Sequence, residues 1–457
     1  MKNMTLNEIA LACRGTYFGS AENMEKEVSS VVIDSRKVKK DSLFIALRGA
    51  RADGHTFIPK TIEAGALCAV SEENLGDTDY SYILVDSCEQ AMKDIAEHYR
   101  RSLDIKVVGI SGSVGKTSTK EMIASVLGQK YNVLKTEGNF NNEIGLPLTI
   151  FNICEEHEIA VLEMGISDFG EMTRLAKMAR PDICVITNIG CAHLEQLKTR
   201  DGILKAKTEM LDYMNPDGTI IFNGDDDKLA AFIPKNGNLP VYFGLDENCS
   251  YHAGQIQDMG LCGTTATFIT PKSQFSAHIS IPGEHMVYNA LAGIAVGYAL
   301  NMTDAEIKAG IEALVPLAGR NHLIQTEKYA IIDDCYNANP ASMKASVEVL
   351  AKAQTRTVAI LGDMFELGEN ELPMHYSVGE HAADAGIDVL VCIGALAKNI
   401  ADGARSRHTS VEVHYYPAKS DFFAEMKDIL RPHDTILVKA SHGMEFPEIV
   451  NILENTK

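Results

Sequence analysis

Val107-Val108-Gly109-Ile110-Ser111-Gly112-Ser113-Val114-Gly115-Lys116-Thr117-Ser118 lies where an apolar run gives way to a helical pattern. A strand that enters a glycine-rich turn and leaves as a helix points successive backbone N–H groups at one spot beside a helix N-terminus. That spot is a seat for phosphate. Lys116 would reach the outer phosphates, and the Thr117 hydroxyl is placed to ligate Mg²⁺. The spacing is G-x-x-G-x-x-G-K-T, a variant of the strict pattern, which has glycine where this chain has Ile110. A plainer reading is a glycine-rich turn carrying an exposed lysine. The strand before it and the Gly-Lys-Thr within it favour the phosphate seat.

Working outward, 106–110 reads as a strand and 116–128 as a helix with Met122, Ile123, Val126 and Leu127 on one face. Further buried-looking strands are predicted at 159–164 and 183–189, and a strand-like insertion rich in Thr, Ile and Phe at about 240–280. Apolar runs alternating with helical periods predict βαβ units and a mainly parallel sheet with helices on both faces. A second such series begins near Gly319, with strands at 330–332, 357–361, 389–393, 411–416 and 435–438. Its helix at 340–353 opens on Pro340, a residue suited to a first turn. Short strands at 31–33, 43–47 and 82–85 precede both series. The expected fold is α/β in three domains: a smaller N-terminal α/β domain (1–99), a central phosphate-loop domain (100–318) and a C-terminal Rossmann-like domain (319–457). A length of 457 residues agrees, at roughly 150 per domain.

Lysine and arginine total 42 against 62 acids, a net charge of −20, which argues against a nucleic-acid-binding surface. An anionic small substrate stays compatible, since backbone N–H groups and a metal reverse the sign of a single cleft. The ten cysteines form no C-x-x-C pair and read as reduced, mostly buried thiols of a cytoplasmic protein. The N-terminus has no apolar region typical of a signal peptide, and Thr5-x-x-Glu8 reads as a capping box. The run 290–300 is too short for a membrane span. The expected partners are small molecules acting on a monomer, with neither nucleic acid nor membrane.

Ser111-Gly112-Ser113-Val114-Gly115-Lys116-Thr117-Ser118 resembles the ATP signature of the Mur ligases, the amide-forming enzymes of peptidoglycan precursor synthesis. Asp34-Ser35-Arg36-Lys37, followed by Asp53-Gly54-His55-Thr56-Phe57, resembles the uridine-nucleotide-binding domain of two such ligases. The resemblance implies contacts from Ser35, Arg36, Gly54 and His55 to a UDP-sugar peptide. Gly138-Asn139-Phe140-Asn141-Asn142-Glu143-Ile144-Gly145 resembles the family's asparagine loop and adds Asn141 and Asn142. Glu163, at a strand end, and His193 resemble metal ligands, although a lone histidine is more often structural. Lys207 aligns with a lysine carbamylated in related ligases; Lys205 is close by, and a solvated lysine is the default.

Gly283-Glu284-His285-Met286-Val287-Tyr288-Asn289 is similar to the adenine segment, with Met286 in place of an asparagine and Asn289 left as the base contact. Gly319-Arg320 matches an arginine that would clamp the γ-phosphate. Asp333-Asp334-Cys335-Tyr336-Asn337-Ala338-Asn339-Pro340 resembles the members that add D-alanyl-D-alanine. By that resemblance Asp334 meets the ATP ribose, and Tyr336, Asn337 and Asn339 line the dipeptide cleft. Val438-Lys439-Ala440-Ser441-His442 departs from that subfamily, which has glycine and arginine where this chain has Ala440 and His442.

The implied ATP site comprises Gly112, Ser113, Val114, Gly115, Lys116, Thr117, Ser118, Asn289, Arg320 and Asp334. The implied Mg²⁺ ligands, for two ions, are Thr117, Glu163, His193 and the carbamate of Lys207. Lys116, His193, Lys207 and Arg320 carry the chemistry. The implied reaction joins D-Ala-D-Ala to UDP-MurNAc-tripeptide through an acyl phosphate. Other readings are a Mur-type paralogue with a different amine or carboxylate, and a nucleotide-binding module without turnover.

Overall fold

The computed structural model describes the chain apart from residues 2, 3, 50, 51, 191–193, 236 and 457 and the side chains of 194 and 195. Three sheets, one per domain, follow one another along it. The first orders its strands Thr16–Phe18, Ser81–Leu84, Cys68–Ser71, Ser42–Ile45 and Ser30–Val32, all parallel except the first pair. The last has six strands, with Ala330–Asp333, Thr435–Lys439, Thr357–Gly362, Val389–Ile393 and Glu412–Tyr416 parallel and His322–Gln325 antiparallel at one edge. The predicted α/β architecture of three domains is what the chain adopts.

The central sheet has nine strands. Lys106–Ser111 lies between Ile159–Glu163 and Ile183–Ile186, parallel to both. All three are buried along nearly their whole length, as parallel strands covered on both faces must be. Their carboxyl ends therefore open side by side, the usual place for a ligand in such a sheet. The insertion is real: Val241–Gly244 continues the parallel order, and Tyr251–Asp258, Thr264–Ile269 and Gln274–Ile279 extend it as an antiparallel meander.

Helix Lys116–Leu127 seats the phosphate loop by burying Met122, Ile123, Val126 and Leu127 completely. Each such side chain contributes about 1.5–3 kcal/mol by leaving water, so the helix start is firmly placed. Helix Asp304–Glu312 presses close behind it because Gly310 has no side chain; a Cβ there would lie 2.3 Å from Val126 Cα. The first two domains share one apolar core running from Met4 to Leu229, whereas the third has cores of its own. Tyr99 and Arg100, on the helix Cys88–Ser102, add hydrogen bonds to the carbonyls of Ile153 and Ala179. The capping box at Thr5 and Glu8 forms on helix Leu6–Ala12. The described cysteines are free, and all but Cys154 and Cys262 are buried. Among the described residues no helix is long and apolar enough to cross a membrane.

Candidate active site

The loop after Lys106–Ser111 is held from the neighbouring strand. Gly112 has φ +153°, and a Cβ there would lie 1.9 Å from Thr187 Oγ1. The Thr187 hydroxyl donates to the Val114 carbonyl at 2.7 Å, and Asn188 accepts from Val114 N and donates to Val114 O, both at 2.9 Å. Ser113 N donates to the Asn188 carbonyl, and Ser113 Oγ accepts from Gly190 N. Gly115, at φ +82°, is the residue from which the helix starts. This is the tight turn that the glycine spacing predicts. Lys116 Nζ donates to the Gly112 carbonyl at 2.8 Å, folded back over the loop. Burial pulls its pKa down, against the attraction of Glu163, and the charge of Arg320 adds to the fall.

Glu163 closes the bottom of the site at 2% exposure. Its Oε1 accepts from Thr117 Oγ1 at 3.2 Å and from Asn141 Nδ2 at 2.9 Å. Its Oε2 is buried without a hydrogen-bond partner, 3.9 Å from Lys120 Nζ. A desolvated carboxylate oxygen left over in this way is costly. A hard divalent cation with oxygen ligands satisfies it, so Glu163 beside the Thr117 hydroxyl fits Mg²⁺. Lys207, on helix Arg200–Thr208, is 1% exposed. Burial, with the charge of Lys116 added, holds its pKa well below the ordinary lysine value. An uncharged buried amine is the form that captures CO₂. His193 lies outside the described residues.

Arg320 enters from the third domain. Its Nη2 donates to Thr117 Oγ1 at 3.1 Å, and its guanidinium lies 3.9 Å from the centre of the Tyr336 ring. Tyr336 in turn packs against His442, ring centres 5.6 Å apart. Lys116, Thr117, Glu163 and Arg320, distant in sequence, thus meet at one point.

Several predicted ligand contacts are engaged otherwise. His55 is held within the first domain: Nδ1 bonds Asp53 Oδ1 at 2.6 Å and Nε2 accepts from Glu72 N at 3.0 Å. Both nitrogens are committed, so His55 offers no donor to a uracil or pyrophosphate. Gly54 lies against Leu47, with room for no side chain, and Arg36 pairs in solvent with Asp34 beside half-buried Ser35. Asn142 accepts from Gly145 N and Ile144 N, starting helix Gly145–Phe151. Asn289 is buried, accepting from Thr119 Oγ1 at 2.8 Å and donating to Met286 Sδ, so it braces the loop's helix.

Asp334 receives Lys439 Nζ at 2.5 Å, Ser346 Oγ at 2.6 Å and Asn321 N at 3.1 Å, leaving little capacity for a ribose. Asn339 caps helix Pro340–Leu350, and exposed Asn337 receives Ala338 N. Between central and third domains, Ser118, His285, Met286, Leu317, Arg320 and Asn321 line a pocket of about 20 Å³. It has room for a water molecule and none for a nucleobase. Sequence reasoning passed over Lys120 and Thr136, both fully buried beside Glu163. The available signal was helical spacing: Lys120 follows Lys116 by four and Thr117 by three, on one face.

Family models cover most of the chain in order: the Mur ligase family catalytic domain at residues 27–100, the Mur ligase middle domain at 110–297 and the Mur ligase glutamate ligase domain at 319–442. The UDP-N-acetylmuramoyl-tripeptide–D-alanyl-D-alanine ligase of Bacillus subtilis is 36% identical over 99% of both chains. A crystal structure of MurF from Acinetobacter baumannii superimposes at a TM-score of 0.90 with 28% identity, covering 99% of each chain. MurF from Thermotoga maritima in complex with ADP gives 0.82 with 29% identity, over 93% of this chain and 97% of that one. Three family models in sequence, and a relative alike from end to end, accompany a phosphate loop faced by an arginine of the next domain: the chain belongs to the Mur ligase family.

Proposed function

We propose that this protein is the ATP-dependent ligase that joins D-alanyl-D-alanine to UDP-N-acetylmuramoyl-tripeptide, a cytoplasmic step in making peptidoglycan precursors. The observation that carries the reading is the meeting of Lys116, Thr117 and Glu163 with Arg320 across the interdomain cleft. A relative of that name, 36% identical over its whole length, supports the choice of substrates.

The first step brings a peptide carboxylate to the γ-phosphorus of ATP, anion against anion, to form an acyl phosphate as the bond to the bridging oxygen breaks and ADP leaves. Little covalent help is available in such a transfer, so positioning and charge neutralisation must carry it. Loop N–H groups from Gly112 to Ser118 cradle the phosphates, Lys116 swings from the Gly112 carbonyl to the outer phosphates, and Arg320 leaves Thr117 to grip the transferred group. Thr117, Glu163, His193 and carbamylated Lys207 would hold Mg²⁺, which when bound neutralises phosphate charge. The amine of the dipeptide then attacks the acyl carbon, and phosphate departs. Residues 1–99 hold the UDP-sugar peptide with Ser35 and Arg36, the central domain holds ATP, and the third presents the dipeptide beside Tyr336, Asn337 and Asn339. Asn141 joins the two sites, since its amide already donates to Glu163.

Phosphate release with ATP, UDP-MurNAc-tripeptide and D-Ala-D-Ala, each omitted in turn, tests the reaction. Release should need all three. Release at full rate without the dipeptide, or none with the complete set, rejects it.

A further inference from the structure

Lys120 has no part in the reaction just described, yet it is one of the most deeply buried charges in the protein, at 1% exposure. Its ammonium donates to the Thr136 carbonyl at 2.5 Å and pairs with Glu121 at 3.0 Å. On its other side stands the partnerless Oε2 of Glu163, at 3.9 Å. Thr136, itself buried, also accepts from Glu163 N through its hydroxyl, so a single residue fixes both the lysine head and the carboxylate backbone. Glu121 is shared with Lys135, which leaves the Lys120 charge turned partly toward Glu163.

A buried carboxylate with one free oxygen should attract divalent cations strongly. Here a fixed ammonium faces that oxygen, Arg320 covers Thr117, and Lys116 stands over the loop. Three cations thus surround the two side chains that fit a metal, and like charges at such distances in a poorly solvated site repel strongly. Nucleotide phosphate would reverse the balance, because its charges engage Lys116 and Arg320.

We propose that Lys120 is a positioning residue that offsets the Glu163 charge while no nucleotide is bound, so that the divalent ion enters only with the phosphates. The inference rests on Glu163 being a metal ligand. A merely structural buried ion pair would behave differently: its loss would loosen the site and weaken metal binding.

The test is a Mn²⁺ titration of the full chain, read by electron paramagnetic resonance of the free ion, without nucleotide and with ADP. Glu163→Gln in each background subtracts surface sites on this acidic protein. Lys120→Met should strengthen Glu163-dependent Mn²⁺ binding without nucleotide at least about ten-fold. Lys120→Arg, which restores a cation, should return it to the wild-type level. Binding equal to or weaker than wild type in Lys120→Met overturns the proposal. Should that variant fail to fold, Lys120→Gln, which keeps a donor for the Thr136 carbonyl but no charge, decides in its place: Glu163-dependent Mn²⁺ binding without nucleotide must strengthen, and an unchanged or weaker isotherm rejects the idea. If Glu163→Gln removes no Mn²⁺ from the ADP complex, Glu163 is not a ligand, and that premise is what has failed.

Discussion

A lysine amine takes up carbon dioxide only when it is uncharged, and burial, with the charge of Lys116 added, shifts Lys207 toward that form. With ¹³C-bicarbonate the protein is expected to show one slowly exchanging carbamate resonance, absent from Lys207→Arg; no such resonance in the wild type would count against the modification. Lys116→Ala should lower phosphate release by at least about a hundred-fold while circular dichroism and melting stay unchanged, since among the described residues the lysine's hydrogen bond goes to a loop carbonyl. At this scale the sequence was informative where spacing dictates geometry, as in Gly112 to Thr117, and silent where a polar residue has a close protein partner. His55 and Asp334 look like ligand contacts, but Asp53 lies two residues from one and Lys439 comes from another strand to the other. Lys120 was illegible for a further reason. A helical lysine reads as solvated, and only the packing of Thr136 and Glu163 over it shows otherwise.

Elements translate these contacts into rigidity. The phosphate loop hangs from the residues after Ile183–Ile186 through Thr187 and Asn188, so its shape depends on a strand far along the chain. Gly112→Ala would force a Cβ onto Thr187 Oγ1 in a backbone region that L-residues avoid. It should weaken ADP binding at least about ten-fold by calorimetric titration, while the sheet below remains folded. In the third domain the Asp334–Lys439 pair ties the end of Ala330–Asp333 to that of Thr435–Lys439, with both side chains under 10% exposed. Asp334→Ala leaves a buried ammonium uncompensated, and a loss of about 3–5 kcal/mol is expected in the third domain's unfolding transition. The parallel strands were readable as apolar runs, since two covered faces leave no room for polar residues. The meander after Val241–Gly244 was readable only as an insertion, because an edge sheet with one exposed face has a weaker pattern.

The three domains are not equally free. A shared core joins the first two, whereas the third meets the second through Arg320, the small pocket behind it and the Lys352–Asp258 ion pair. That pair is partly exposed, and such pairs contribute at most about 1 kcal/mol. Asp258→Asn should leave kcat within about two-fold, whereas Arg320→Ala should lower it at least about a hundred-fold and enlarge the radius of gyration seen by small-angle X-ray scattering. A compact Arg320→Ala protein would mean that other contacts hold the cleft shut. A nucleobase would fit the pocket between these two domains only if they moved apart. The three-domain plan was legible from length and alternating patterns, but the shared core was not, since it depends on faces that meet only after folding. One detail of the metal seat reaches further. Glu163 is gripped by Thr117, Asn141 and Thr136, which come from the loop's helix, the asparagine loop and the turn after Val133–Lys135. This arrangement therefore does not exist until all three segments have converged, so the surroundings of Glu163 are a product of the folded central sheet and belong to no single segment.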